Sequence, residues 1–142
     1  MIIMSNLLSE CFNNNTKLAL NLIENKANLD IQNEYGWTVL MHSCWYNNIE
    51  ITLKLIENKA NIDLQDKDGW TALMFSCWYN NTEIALKLIE NKANIDLQNK
   101  ANIDLQNKNG WTALMLSCAF NNINIISILL EYIEHIEHNV NG

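Results

Sequence analysis

The chain lacks several residue types that common functions require. Its 142 residues include no proline and no arginine, and the formal net charge is −7. Because binding to a phosphate backbone depends on Lys and Arg, this balance disfavours nucleic acid as a partner. No apolar run reaches about 18 residues, and Met1–Met4 has no basic flank and is too short for a signal peptide. We therefore expect an intracellular, cytoplasmic protein with no membrane or nucleic-acid partner.

Recognisable catalytic motifs are also missing. The sequence contains no nucleophile–base pair, phosphate-binding loop or dinucleotide fingerprint. The stretch Asp66–Gly69 is similar to part of a calcium loop, but Leu64 and Phe75 stand at the outer ligand positions and offer no oxygen ligand. We therefore expect no enzymatic activity and no cofactor.

The three histidines do not point to a metal centre. His135 and His138 lie one helical turn apart and could hold a metal weakly, but a further ligand is missing, so a solvated helix end is favoured. His42 has the repeat phase of Phe75 and Leu116, which makes it a packing position. The sequence predicts no metal site.

What the sequence does contain is a repeat of 33 residues. The block Gly36–Gln65 recurs as Gly69–Gln98, and 27 of 33 aligned positions are identical between residues 36–68 and 69–101. A third copy begins at Gly110, and a degenerate copy precedes the others. A period of this length is typical of a solenoid of stacked helical hairpins.

The repeat that begins near Gly69 shows the unit most clearly. Thr71 is a good N-cap for a short first helix over Ala72–Trp78. Asn80–Asn81 then breaks the helix, because Asn tolerates turn and left-handed conformations. Gly69 precedes the cap at a point where a tight turn can need a positive φ.

The second helix of this unit has one apolar face, formed by Ile84, Leu88 and Ile89 at helical spacing. Asn81 or Thr82 can cap this second helix. We expect Asn91–Lys92 to end the helix. Residues 93–98 then alternate apolar and polar side chains, as in a short extended arm.

These residues make the chain similar to the ankyrin repeat family. The segments Gly-Trp-Thr-Ala-Leu-Met, Asn-x-Glu-Ile and Lys-Leu-Ile-Glu-Asn-Lys-Ala-Asn-Ile-Asp follow one another as in that repeat, over roughly residues 5–132. The resemblance implies an all-α ankyrin-repeat solenoid, with two antiparallel helices per repeat and a projecting β-turn finger. It also implies a non-catalytic scaffold for protein–protein interaction.

Three features depart from the family pattern and lower the expected stability. The residue after the Thr is not the usual proline, the fourth residue of the same motif is not the usual histidine, and a lysine replaces the usual glycine before the finger. The missing histidine removes a Thr–His hydrogen bond that the resemblance would imply. The replacing residues are Val39, Ala72 and Ala113; Met41, Met74 and Met115; and Lys26, Lys59 and Lys92.

We expect a single ankyrin-repeat domain over residues 1–142. Its repeats span approximately residues 1–33, 34–66, 67–98 and 107–138, with a finger insertion at 99–106 that repeats the sequence NKANIDLQ before it. The insertion is either a neutral duplication tolerated in a loop, which we favour, or an elongated finger that reaches a ligand.

The first repeat is expected to cap the array. Ser5 stands at the phase of Thr38 and is predicted to cap a helix over Asn6–Phe12. After the turn at Asn13–Asn15, a second helix is predicted over Thr16–Asn25. Three of its side chains are expected to point inward: Leu18, Leu22 and Ile23.

The four cysteines share one repeat phase. In the family this phase is a small buried residue of the first helix, so the resemblance implies a buried ladder of reduced thiols. Neighbouring helices pack about 8–10 Å apart, beyond the roughly 7 Å limit for a disulfide, and a row of thiols cannot surround a zinc ion. Reduced thiols indicate a reducing compartment. The four residues are Cys11, Cys44, Cys77 and Cys118.

The last repeat is more apolar than a terminal repeat should be. Ile126 stands where the two regular repeats have Thr and Ala, and Ile128 stands where both have Lys. Residues 131–138 are expected to continue the final helix. Either Tyr132, Ile133 and Ile136 fold over the apolar face, which we favour, or a partner or second copy covers it.

Aromatic residues are the strongest functional signal. They recur just after the glycine and again at the end of the first helix, phases that the resemblance places on or beside the concave groove. Because Trp and Tyr are rich in binding hot spots, these residues are candidates for contact with a partner. Stacking between repeats is an equally open interpretation. The candidate residues, with two from the adjoining finger, are Trp37, Trp45, Tyr46, Lys67, Asp68, Trp70, Trp78, Tyr79, Trp111 and Phe120.

The sequence thus predicts a monomeric scaffold that binds a protein partner through the concave groove of the array. The alternative is a structural fragment or subunit that self-associates or stacks through its apolar C-terminal repeat. The 25 asparagines, with abundant Ile and Lys, suggest an AT-rich genome such as that of a large DNA virus or an intracellular bacterium. In that case the protein would act in the host cytoplasm.

Overall fold

The structure is a computed structural model that describes residues 2–93 and 105–140. These residues form eight α helices and no β strand, which confirms the predicted all-α class. The helices are α1 (Ile2–Phe12), α2 (Thr16–Glu24), α3 (Val39–Trp45), α4 (Ile49–Glu57), α5 (Ala72–Trp78), α6 (Thr82–Ala93), α7 (Ala113–Ala119) and α8 (Ile123–Val140).

The helices pack as four pairs in two layers. Each odd-numbered helix contacts the even-numbered helix that follows it. Helices α1, α3, α5 and α7 pack side by side in one layer, and α2, α4, α6 and α8 form the other. Each repeat therefore buries its apolar faces both within its own pair and against the neighbouring pair, as a solenoid does.

Threonine caps begin the first helices of the three later repeats, as predicted. Thr71 Oγ1 accepts the N–H of Met74 at 3.2 Å, and α5 spans the predicted residues Ala72–Trp78. In the preceding repeat the backbone N–H of Thr38 also donates to Met41 Sδ at 3.4 Å. A thioether thus occupies the capping position at which the family pattern has a histidine.

Paired asparagines shape the turn between the two helices. Asn80 adopts the predicted left-handed conformation, with φ 56°. The amide Nδ2 of Asn81 donates to the carbonyl oxygen of Cys44 at 2.6 Å, in the preceding repeat. Asn122 makes the equivalent bond to the carbonyl of Cys77. These buried asparagines therefore link successive repeats as well as forming the turn.

The glycines shape the fingers that follow each pair. Gly36 and Gly69 both have φ 81°, and a Cβ atom on Gly36 would lie 2.8 Å from Lys67 N of the next finger. The fingers stack through backbone bonds, with Lys67 N–H donating to Tyr35 O at 3.0 Å and Lys108 N–H to Asp68 O at 2.8 Å. Gly therefore supplies both the turn and the close approach of neighbouring fingers.

One predicted helix end is wrong. The hexapeptide Leu-Ile-Glu-Asn-Lys-Ala occurs three times, at residues 22–27, 55–60 and 88–93. In the first two copies α2 ends at Glu24 and α4 at Glu57, and Lys26 and Lys59 turn left-handed at φ 61° and 66°. In the third copy α6 continues to Ala93 instead of ending at Asn91–Lys92. A left-handed Lys is costly, and the longer spacing to the next glycine removes the need to turn at once. The predicted extended arm beyond residue 93 and residues 99–104 of the predicted insertion lie outside the described residues.

The first repeat corrects two further predictions. Helix α1 begins at Ile2, so Ser5 lies inside it and is not its N-cap. Ile23 is buried as predicted and Leu22 is half-buried, but Leu18 is 41% exposed. The residue at the phase of Leu18 in the next repeat, Ile51, is buried because the preceding helix pair packs on that side. No described helix precedes the first pair and covers Leu18.

The cysteine ladder is buried only in part. Cys11, Cys44 and Cys77 are buried, whereas Cys118 is exposed, so the prediction of four buried thiols is wrong. Burial raises the pKa of each of the three buried thiols to about 12. Cys118 differs because no described helix pair stacks on the last repeat.

Helix α8 includes the predicted residues 131–138 and ends at Val140. Ile128 and Tyr132 pack against the core, and Ile133 and Ile136 are half-buried. Leu130 nevertheless stays 46% exposed, so the continued helix does not close the C-terminal face. None of the described helices is long and apolar enough to cross a membrane.

Candidate functional site: an aromatic groove

A row of aromatic rings runs across the repeats, formed by residues of the first helices and by residues that directly precede their Thr caps. Trp37 packs against Trp45 of its own repeat at 5.1 Å between ring centroids, and against Phe75 of the next repeat at 4.9 Å. Trp70 stacks on Phe75 at 5.1 Å, and Trp78 meets the ring of Trp70 edge-on at 5.4 Å. Each ring is thus held by rings from its own or the neighbouring repeat.

Two adjoining cavities open along this row, and we call them together the aromatic groove. The N-terminal section has a volume of about 420 Å³ and the central section about 350 Å³. The N-terminal section is lined by Phe12, Asn33, Tyr35, Trp37, His42, Trp45, Tyr46, Asp66, Lys67 and Asp68. The central section is lined by Trp37, Trp45, Asp66, Asp68, Trp70, Phe75, Trp78 and Tyr79.

The structure brings eight of the ten candidate residues into this groove. Phe120 lines neither section, but its ring lies 4.5 Å from that of Trp78. Trp111 lines neither section and is 40% exposed. Trp37 and Trp70 each pack against a Trp at the end of their own first helix, but the residue at that position in the last repeat is Ala119. This explains why none of the ring contacts among the described residues involves Trp111.

The two interpretations of the aromatics apply to different rings. Phe75 is only 4% exposed and Trp37, Trp45 and Trp70 are half-buried, so these rings pack between repeats. Other rings of the row keep large open faces: Tyr46 is 66% exposed, Phe120 46%, Trp78 41% and Tyr79 40%. The inner rings thus support the outer ones.

Six residues that line the groove were not among the candidates: Phe12, Asn33, Tyr35, His42, Asp66 and Phe75. Phe12 has the phase of Trp45 and Trp78, which could have identified it. Tyr35 is 64% exposed and stands at the phase of Asp68, but it occurs in only one repeat and gave no periodic signal. Asp66 lines both sections and was noticed only as part of a possible calcium loop.

His42 packs in the wall of the groove. Its ring lies 4.2 Å from that of Phe12 and 4.6 Å from that of Tyr46. Burial disfavours the imidazolium and lowers the pKa of His42 to about 4. The residue is therefore neutral and serves as an aromatic packing group, as its repeat phase predicted.

Asp66 organises the finger beside the groove. Its Oδ1 accepts the N–H of Asp68 at 2.9 Å and that of Trp70 at 2.8 Å. Asp68 lies at the finger tip, 3.8 Å from Lys108, and both side chains are largely exposed. Among the residues in view, no group of three or more His, Cys, Asp or Glu side chains could hold a metal. That the protein needs no metal and no cofactor stays a prediction.

Two layers of stacked helix pairs, fingers in register and a groove of paired rings define a helical-repeat solenoid. A sequence model of the family described as ankyrin repeats (3 copies) matches residues 7–99 and 96–142, so the chain belongs to the ankyrin repeat family. Ankyrin repeats are generally protein–protein interaction modules, and the family is typically non-enzymatic. A comparison with curated proteins finds no match.

Proposed function

We propose that this protein is a non-catalytic scaffold that binds a protein partner through the aromatic groove. In this proposal residues 1–142 act as one array of four repeats, and the protein works as a monomer in the cytoplasm, the host cytoplasm if it is viral or a secreted effector. The observation that supports it best is the set of open ring faces along the groove: Tyr46, Trp78, Tyr79 and Phe120.

The arrangement suits a binding surface because its rings are already ordered. Tyr79 packs 4.8 Å from Trp45, and Trp78 is fixed between Trp70 and Phe120. Rings that are held in place lose little conformational entropy when a partner binds. Large aromatic side chains in this setting are frequent binding hot spots.

The test is alanine substitution of Trp78 and Tyr79, each alone. A partner recovered with the wild-type protein from the relevant cells would be purified and titrated against each variant. We expect each substitution to weaken binding by more than about 1 kcal/mol while the helical content persists. Ile123→Ala is the matched control, since Ile123 is 64% exposed and lines neither section of the groove.

Two outcomes would contradict the proposal. One is unchanged affinity in folded Trp78→Ala and Tyr79→Ala variants. The other is loss of the fold with no loss of binding in any variant that survives, which would leave stacking between repeats as the role of these rings.

A second candidate function is self-association through the C-terminal face. Met115 is 48% and Leu130 46% exposed, and both stand at phases that are buried in the regular repeats. A second copy, or further repeats, would cover them and remove apolar surface from water. Measurement of solution mass over a wide range of protein concentration tests this candidate, and a monomer throughout the range would exclude self-association.

A further inference from the structure

The central section of the groove has the composition of a site for a cation. Six aromatic rings and two carboxylates line its roughly 350 Å³, with no Lys, Arg or His side chain among them. Aromatic faces attract ammonium and guanidinium groups, and carboxylates add charge attraction and hydrogen bonds. Lys67 lines only the neighbouring section. The lining therefore suits a basic side chain better than an acidic or a purely apolar one.

The rings are set in position before any ligand arrives. Phe75 is buried between Trp37 and Trp70, whose centroids lie 4.9 and 5.1 Å from it. Trp45 contacts the same ring at 5.5 Å, and Trp78 is held by its edge-on contact with Trp70. A cation entering the section would meet fixed ring faces, which lowers the entropic cost of binding.

The charge on Asp66 exceeds what the fold requires. In the two neighbouring fingers, Asn33 and Asn107 make the same pair of backbone hydrogen bonds through a neutral amide oxygen. The turn therefore forms equally with Asn or Asp, and the carboxylate of Asp66 adds only its charge. Asp68 adds a second negative charge. Its ion pair with Lys108 is long, at 3.8 Å, and exposed to solvent, so it neutralises little of that charge.

The two carboxylates occur beside the most complete set of rings. At the phase of Asp68, the neighbouring fingers have Tyr35 and Asn109, so neither carries two acidic residues at these positions. The last repeat, whose finger has only asparagines at these positions, also replaces Phe75 by Leu116 and Trp78 by Ala119. Charge and aromatic rings thus coincide in one section of the array.

We propose that the central section binds a lysine or arginine side chain from a basic segment of the partner protein, between the rings and the carboxylates of Asp66 and Asp68. This inference rests on the proposed function, because the segment belongs to the protein that the groove binds. The net charge of −7, with no arginine in the chain, attracts such a segment from a distance.

A paired substitution offers a clean test. Asp66→Asn with Asp68→Asn converts the finger sequence Asp-Lys-Asp-Gly-Trp to Asn-Lys-Asn-Gly-Trp, which residues 107–111 already fold into the same turn. The matched control is Glu134→Gln with Glu137→Gln, which removes two exposed charges from α8. Far-UV circular dichroism would establish that each variant is folded.

The probe is Nα-acetyl-lysine methylamide, compared with the norleucine analogue that has the same stem without the amine. Binding is followed by nuclear magnetic resonance at the indole N–H signals of Trp70 and Trp78. We expect the lysine probe to bind at least about fivefold more tightly than the norleucine probe. The double Asn variant should lose this preference, and the double Gln variant should keep it.

Equal binding of the two probes, no saturable shift with lysine, or an unchanged lysine preference in the double Asn variant would each overturn the inference. The proposed function would still stand if Trp78→Ala weakened binding of the protein partner while the groove showed no preference for lysine. Both would fail if the partner bound every variant equally and the probes did not discriminate.

Discussion

The regular repeats and the last repeat place similar residues at the same phase in very different surroundings. Met74 is 1% exposed, whereas Met115, its counterpart in the last repeat, is 48% exposed. Ile89 is 2% exposed, whereas Leu130 at the same phase is 46% exposed. The difference lies in the neighbour, because a helix pair stacks on the regular repeat and no described pair stacks on the last one.

The first repeat shows the same effect from the opposite side. Leu18 is 41% exposed, while Ile51 and Ile84 at its phase are 3% and 1% exposed. In a solenoid, the burial of a side chain is therefore a property of two repeats together. This explains why a repeat-by-repeat interpretation of the sequence places core residues correctly in the middle of the array and fails at its ends.

Thiol reactivity should show the largest difference between the regular and last repeats. Burial raises the pKa of Cys77 from its ordinary value of 9.0 to about 12, and the thiol is fully covered, whereas Cys118 is exposed. Three pKa units alone reduce the thiolate fraction about 1000-fold. We expect a maleimide to label one cysteine in the folded protein and all four in urea, and Cys118→Ser to abolish the native reaction. Labelling of Cys77 as fast as Cys118 would show that the repeat interface opens freely.

Truncating the matched methionines should show the energetic side of the comparison. Met74→Ala removes a buried side chain and leaves a cavity, so we expect it to lower the free energy of unfolding by about 2–5 kcal/mol. Met115→Ala removes a half-exposed side chain and should cost less than about 1 kcal/mol. Urea unfolding followed by circular dichroism measures both. Similar losses for the two variants would mean that the last repeat is covered in solution, as self-association would require.

The interface between the first and second repeats should respond to acid through His42. Its pKa is lowered from 6.5 to about 4 in the folded protein, so its contribution to stability is complete above pH 6.5. As the pH falls from 6.5 through 4, the unfolded chain takes up the proton and the folded chain resists it. The stability lost by about pH 4 is on the order of 2–3 kcal/mol.

His42→Phe provides the control, since Phe75 stands at the same phase in the next repeat. Urea unfolding at neutral and acidic pH compares the two proteins. The variant should lose less stability on acidification than the wild type, with the remaining loss due to carboxylates. An identical pH dependence would contradict neutral burial of His42.

The sequence predicts helix bounds correctly where the signals that fix them are local. The bounds of α5 were predicted correctly because a Thr cap, a short apolar run and an Asn turn all lie within the helix and its flanks. The end of α6 was not predicted correctly, because the same hexapeptide ends α2 and α4 but continues α6. Its Lys stands where a Gly would have fixed the turn.

The candidate site was predictable where its residues recur. Trp37 and Trp70 were identified because the repeat copies them, and both line the groove. Tyr35 occurs once, and its place in the groove depends on the stacking of neighbouring fingers. The significance of Asp66 emerged only from its hydrogen bonds and those of Asn33, which no property of the single sequence displays.

The smallest expected effect concerns the lysine that ends α4. Lys59 is left-handed at φ 66°, and its N–H donates to Ile56 O while the N–H of Ala60 donates to Leu55 O, both at 3.0 Å. This is the hydrogen-bond pattern of a Schellman turn, in which glycine is favoured. Because a left-handed side chain costs about 1–2 kcal/mol and glycine costs roughly 0.5–1 kcal/mol of chain entropy, Lys59→Gly should stabilise the protein by about 0.5–1 kcal/mol. Lys59→Ala, which keeps the Cβ atom, should give no such gain in thermal or urea unfolding. Equal stability of the Gly and Ala variants would show that the left-handed turn carries no strain, and would leave the different endings of α4 and α6 without this explanation.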